Sequence, residues 1–138
     1  MSLRVKTLSA FHRGIYAASA GRVGARIAGM PVLLLATVGR KTGKRRVVPL
    51  TYIEDGDSIV LVASYGGRPH NPAWFDNLMA AGEGEVVIGR ERRGVRARQA
   101  SPEERARLWP QIIETYDGYA AYQAKTDREI PLAILTTY

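Results

Sequence analysis

The stretch LLLATVGRKTGKRRVVPLTYI, residues 33–53, decides the fold. An apolar run over 32–38 meets a polar segment with two glycines, and a second apolar run follows over 47–53. Two short β-branched and aliphatic runs around a glycine-bearing turn read as an antiparallel hairpin. Pro49 cannot donate to a sheet ladder, so the second strand belongs at an edge or a bulge. The turn, residues 39–46, carries five cations, Arg40, Lys41, Lys44, Arg45 and Arg46, and no acid.

That turn is not a phosphate loop of the Walker type. Only three residues separate Gly39 from Gly43, and Arg45 stands where Ser or Thr is required. What remains is a glycine hairpin whose N–H groups and guanidinium forks suit a phosphate. Charge over the whole chain is equally lopsided. The net charge is +7, the first acid is Glu54, and ten of the twenty Lys and Arg residues precede it. An anionic partner is the expectation, whether a small ligand, a membrane surface or a nucleic acid.

Working outward, residues 3–27 have rough helical spacing (Leu3, Leu8, Phe11, Ile15, Ala18), closed by Met30-Pro31. A third strand is predicted over 58–63 after the turn residues 54–57. A loop, 64–72, leads to a short helix over 73–81 that stops at Gly82. A second hairpin is predicted from 85–88 and 95–100, with GRERRG (89–94) as its turn. Ser101-Pro102-Glu103-Glu104 starts a helix, with Ser as cap, Pro in the first turn and acids against the dipole. That helix runs toward Tyr116, another covers 118–125, and residues 130–138 close as a strand. The order lacks a sustained strand–helix–strand repeat, so a doubly wound sheet is disfavoured. The expectation is a mainly β, α+β chain: a small barrel or curved sheet with helices at its edges.

With 138 residues, 46% of them apolar, the chain suffices for one hydrophobic core. There are no cysteines and two histidines, His12 and His70, so disulfides and a transition-metal site are not expected. No apolar run approaches the roughly 20 residues that span a bilayer. His12, Arg13, Arg22 and Arg26 interrupt the first segment, which argues against a signal peptide and for a cytoplasmic location.

Two further stretches carry chemistry. In ASYGGRPHNPAWFDNL, residues 63–78, Gly66-Gly67 permits close backbone approach to a ligand, and Asn71-Pro72 launches a helix with Trp74 and Asn77. A plain loop with Trp74 in the core is the competing reading. Tyr116, Tyr119 and Tyr122 recur every third residue, either as a core stripe or as an aromatic wall over a flat ring. No Ser-His-Asp arrangement is present, and Glu103 and Glu104 are explained by helix capping.

Taken together, the motifs at 33–50, 60–78 (VLVASYGGRPHNPAWFDNL) and 119–135 (YAAYQAKTDREIPLAIL) resemble the deazaflavin-dependent nitroreductase family. These are actinobacterial oxidoreductases that use coenzyme F-420, of the FDOR-A type. The resemblance spans about residues 30–137. It implies a split β-barrel over 30–138, similar to the FMN-binding pyridoxamine phosphate oxidases, preceded by a basic helical segment over 1–29. It implies that Arg40, Lys41 and Arg46 hold the cofactor phosphate, with Lys44 assisting or reaching the oligoglutamate tail. It implies that the main chain at Pro49 and Thr51 and the run Val62, Ala63, Ser64, Tyr65, Gly66 and Gly67 line the ring, with Trp74 and Asn77 on the adjoining helix. Tyr116, Tyr119 and Tyr122 match the substrate side, Tyr119 centrally. Ser64 and Tyr119 are the catalytic candidates, and no metal is involved. Tyr65 departs from the pattern, standing where some relatives carry a lysine.

The implied activity is hydride transfer from reduced F-420 to a small-molecule acceptor, a quinone, a nitro compound or another unsaturated molecule. The basic first segment would cover the pocket or rest on the anionic inner face of the plasma membrane. The chain would act as a monomer or homodimer. The same barrel using FMN, FAD or haem is the nearer alternative. A nucleic-acid-binding barrel is the farther one, because aromatic residues are not interleaved with the basic ones on the early strands.

Overall fold

The structure, a computed structural model, describes residues 30–138. The helix expected over 3–27, and with it the 1–29 segment, lies outside the described residues. The elements, in chain order, are β1 (Val32–Val38), β2 (Arg45–Thr51), β3 (Ile53–Asp55) and β4 (Ser58–Val62), then a 3-10 turn at Tyr65–Gly67. After these come α1 (Ala73–Ala81), β5 (Glu83–Ile88), β6 (Glu91–Gln99), α2 (Pro102–Thr115), α3 (Gly118–Ala124) and β7 (Leu132–Thr137).

All seven strands form one antiparallel sheet in the order β2-β1-β5-β6-β7-β4-β3. It curls into the half-barrel of the expected split-barrel architecture. β1 is the spine, and it is apolar on both faces because both faces are covered. Leu33 and Leu35 join Leu61, Phe75, Leu78, Val86 and Leu135 inside the curl. Leu34 points the other way, with Val87. Full burial of each such side chain contributes about 1.5–3 kcal/mol. β2 pairs only with β1 among the described residues, in a register that sets Pro49 opposite Leu34. An edge position is what the proline allows.

The outer face of β4 and β7 is covered by α2 and α3. Val60, Leu132 and Ile134 pack there with Leu108, Ile112 and Tyr119. β7, last in the chain, lies between β4 and β6 and so joins the two halves of the sheet. α1 reaches into the inner cluster through Phe75 and Leu78 and ends at Gly82, whose φ is +71°.

Three expectations need correction. The second strand does not run to Ile53: it stops at Thr51, and Ile53–Asp55 forms a separate strand paired with β4. Its two acids, Glu54 and Asp55, hid it as a turn; Asp55 is held there by Arg107, Nη2 to Oδ2 at 3.0 Å. The third strand ends at Val62, because Ala63 already begins the loop, its N–H donating to Pro131. The GRERRG segment is not all turn: 91–94 already pairs with β5, Ile88 opposite Glu91 and Val86 opposite Arg93. The reversal is confined to Gly89-Arg90, with Gly89 at φ +61°. Arginines sit on this strand because their charges are matched: Arg93 Nε lies 2.9 Å from Glu91 and Arg98 Nη1 lies 2.6 Å from Glu104.

The start of α2 is a full capping box, Ser101 Oγ accepting from the Glu104 N–H while Glu104 accepts from the Ser101 N–H. Glu104 also receives a two-pronged Arg98 guanidinium, which with the Ser101 N–H holds its carboxyl down at about 2 against an ordinary 4.5. A carboxyl depressed on folding stabilises the fold above its unfolded value and loses that contribution as it is protonated. We therefore expect wild-type stability to fall as pH drops from 4.5 toward about 2. Denaturant melts of Glu104→Gln should show lower stability at neutral pH and a flatter slope through that window. Ser101→Ala should cost about 1 kcal/mol.

Candidate active site

The basic hairpin is held from below by α1. Gly39 N–H donates to the Lys44 carbonyl at 2.8 Å and Gly43, at φ +71°, donates back to the Gly39 carbonyl at 2.8 Å. Asn77 is buried, and its Oδ1 accepts from both the Arg40 N–H, at 3.0 Å, and Arg40 Nη1, at 2.8 Å. Arg40 Nη2 lies 3.7 Å from Asp76. Arg40 is therefore the anchor of the loop. Among the described residues, Lys41, Lys44, Arg45 and Arg46 form no ion pair and are exposed.

A cavity of about 670 Å³ opens beside the hairpin. Its floor is apolar: Val48 and Leu50 from β2, Leu61 and Val62 from β4. Side chains alternate along a strand, so Arg46 shares the face of Val48 and Leu50 and continues their row toward the hairpin. Its Nε lies 3.9 Å from where a Cβ on Gly39 would stand. A flat apolar ring on the floor thus meets a cation at one end.

The far wall is aromatic. Tyr116, Tyr119 and Tyr122 line the cavity and contact one another edge to face, with centroids 5.2, 6.4 and 6.1 Å apart. Tyr119 is buried, and its hydroxyl hydrogen-bonds Thr51 Oγ1 at 2.9 Å. Burial raises its phenol above the ordinary range, with the Thr51 hydrogen bond pulling it part way back. Tyr119 therefore stays protonated at neutral pH. Tyr116 folds over Gly118, where any Cβ would stand 2.3 Å from its ring.

The third side is the 63–72 loop. Tyr65, Gly66 and Gly67 all have positive φ, at 47°, 64° and 83°. Gly67 is required on a second ground: a Cβ there would meet the Tyr122 carbonyl at 2.6 Å. One arginine organises the loop. Arg128 Nε donates to the Arg68 carbonyl at 2.9 Å, Nη1 to Asn71 Oδ1 at 2.9 Å, and Nη2 to the carbonyls of Ser64 at 2.9 Å and Ala63 at 3.3 Å. Gln123 fixes Arg128 in turn, its Nε2 donating to the Arg128 carbonyl at 2.8 Å.

Of the residues expected to bind a cofactor, Thr51, Val62, Ser64, Tyr65, Gly66 and Trp74 line the cavity, as do all three tyrosines expected on the substrate side. Pro49 does not. Ala63 and Gly67 are buried behind the lining, and Asn77 supports the hairpin. Arg40, Lys41, Lys44 and Arg46 stand beyond the lining at the hairpin end. Sequence reasoning missed Arg68, which lines the cavity, and Arg128 and Gln123, which position it. Arg128 lies inside the third motif, but nothing in its local pattern announces that it bonds residues 57 to 65 positions earlier.

Comparison with known proteins gives the family and the fold. Residues 9–137 match the family model described as F420H(2)-dependent quinone reductase. An F420H(2)-dependent quinone reductase of Mycobacterium tuberculosis is 43% identical over 129 residues, which cover 91% of this chain and 87% of that protein. A solved F420-H2 dependent reductase, FDR-A, superposes with a TM-score of 0.69 at 39% identity, over 81% of this chain and 99% of that one. A solved domain-swapped dimer gives 0.70 at 35% identity, over 94% and 98%. A Listeria innocua protein assigned as a pyridoxamine 5'-phosphate oxidase, 11% identical with a TM-score of 0.54 over 92% and 93%, shares the fold alone.

Removing Arg128 leaves the part-buried carbonyls of Ala63 and Ser64 without this donor, a loss of about 1–3 kcal/mol. Arg128→Ala should lower the melting temperature and speed amide exchange of Gly67 and Arg68 by tenfold or more, with exchange in β1 and β5 slowed or sped only as much as global stability dictates. Gly118→Ala should instead leave the sheet intact and change the near-UV signal of the tyrosines as Tyr116 is displaced.

Proposed function

Because this chain belongs to the F420H(2)-dependent quinone reductase family, we propose that it takes reduced coenzyme F-420 into the cavity and reduces a small, flat acceptor, a quinone above all. The observation that carries this reading is the continuous row Arg46, Val48, Leu50, which joins a free cation cluster to an apolar floor. The cavity volume, about 670 Å³, lies within the roughly 300–1,000 Å³ usual for small-molecule sites. The residues present fit the cofactor: floor and Trp74 suit a tricyclic ring, and Lys41, Lys44 and Arg46 suit a phosphate and a polyanionic tail.

When bound, the reduced deazaflavin supplies a hydride to the acceptor, the step that no side chain of this protein performs. The chain supplies placement, exclusion of water and a proton. Val48, Leu50 and Leu61 exclude water beneath the ring, and the tyrosines hold the acceptor above it. A quinone becomes a quinol by gaining a hydride and a proton. Tyr119 holds its proton at Oη, and with Thr51 donating to that same oxygen the phenol O–H would be free to donate to an acceptor. Ser64, on the loop that Arg128 fixes, adds a second hydroxyl to the wall. Nitro compounds and other unsaturated molecules of similar width fit the same space.

The test is a titration of the protein with F-420 followed by Trp74 fluorescence. The wild type should bind in the micromolar range, and Lys44→Ala/Arg46→Ala at least tenfold more weakly. Saturable binding of FMN, FAD or haem with none of F-420 would keep the fold and discard the cofactor. Turnover of F-420 with menadione should fall roughly 10- to 100-fold in Tyr119→Phe, with a much smaller change in cofactor affinity.

A further inference from the structure

Arg68 is the only charged side chain lining the cavity among its described residues. Its position is built. Its N–H donates to the Tyr65 carbonyl at 3.2 Å, its carbonyl accepts Arg128 Nε at 2.9 Å, and Pro69 after it restricts its backbone to the extended region it occupies, φ −64° and ψ 157°. The guanidinium lies 4.3 Å over the Tyr65 ring. That ring is itself set by a left-handed backbone, φ +47°, rare for a tyrosine. Among the described residues Arg68 forms no ion pair, and no carboxylate lines the cavity. A guanidinium spread on an aromatic face keeps its edge N–H donors available for a carboxylate or sulfonate.

We propose that Arg68, seated on Tyr65, is a specificity-determining residue that recognises an acidic group carried by the acceptor next to its reducible ring. It stands on the loop side of the cavity, while the row from Leu50 to Arg46 leads to the hairpin cations, so the two anion sites serve different parts of the bound pair. The proposal rests on the reductase reading for its turnover arm, but its binding arm does not.

In the binding arm, quenching of Trp74 is followed on the cofactor-free protein with 2-naphthalenesulfonate and with neutral 2-naphthol. The sulfonate should bind more tightly to the wild type, and Arg68→Ala should cut that preference at least tenfold. Arg68→Lys should restore part of it, and Arg68→Glu should invert it. In the turnover arm, the ratio of kcat/KM for 1,4-naphthoquinone-2-sulfonate over menadione should fall at least tenfold in Arg68→Ala, through KM. Equal losses for charged and neutral compounds would overturn the proposal. So would a loss confined to F-420 affinity, which would assign the same cation to the cofactor's acidic tail. Absence of quinone reduction together with a retained sulfonate preference would sink the reductase reading and leave the anion site standing.

Discussion

One guanidinium holds the cavity together. Arg128 lies between α3 and β7, and its three nitrogens satisfy the carbonyls of Ala63, Ser64 and Arg68 and the amide oxygen of Asn71. The tyrosine-bearing helix, the closing strand and the ring-facing loop are thereby tied at one point. A loop with three consecutive positive φ angles does not hold that shape by propensity. It holds because its outward-turned carbonyls find a planar donor array that matches their spacing. Gln123 then binds the Arg128 carbonyl and the Ile130 N–H, so the donor array is fixed from behind.

The opposite end of the cavity is set by the same device with the roles reversed. There an acceptor, Asn77 Oδ1, gathers the backbone and side chain of Arg40. Arg40 is thus tied to α1, and the other cations of the hairpin are exposed. This division explains how five basic residues crowd one turn with a single acid, Asp76, against them: Arg40 anchors the turn and the others face solvent. It also explains why the cluster is tolerated energetically, since exposed like charges a few residues apart repel weakly in water and salt.

Much of this was legible in the sequence wherever a local rule had a local cause. β1 matched its apolar run, Gly82 ended α1 in the left-handed conformation, and Ser101 to Glu104 formed the capping box. Pro49 placed β2 at an edge. Local rules failed where distant partners override them. Glu54 and Asp55 read as turn residues, yet they form a strand beside β4 with Asp55 steadied by Arg107. Arg92 and Arg93 read as turn residues, yet they continue a ladder. In the site, the spacing of the three tyrosines was visible, but their mutual contact depends on Gly118 leaving room for Tyr116. Arg128 and Arg68 were invisible for the same reason: their significance lies in what folding brings to them.

Among the described residues no carboxylate lines the cavity, and the chemistry of the family explains why. A cofactor that transfers a hydride needs a dry floor, a fixed acceptor and at most one proton. Tyr119 is the one buried phenol of the wall, and burial raises it above its ordinary range. A carboxylate in its place would lose its proton in water and would need burial or a like charge to regain it. A phenol, ordinarily ionising at 10.0, needs neither to stay protonated at neutral pH, and burial raises Tyr119 further. Its hydroxyl is located by Thr51 of β2, the strand that also supplies the floor and carries Arg46 at its start. Thr51, the floor residues Val48 and Leu50, and Arg46 are therefore spaced by the rise of one β-strand, about 3.3 Å per residue. A shift of register in β2 would move all three together relative to the 63–72 loop. Contacts across the cavity, Thr51 to Tyr119 at one end and Arg40 to Asn77 at the other, add to the β1 ladder in holding that register.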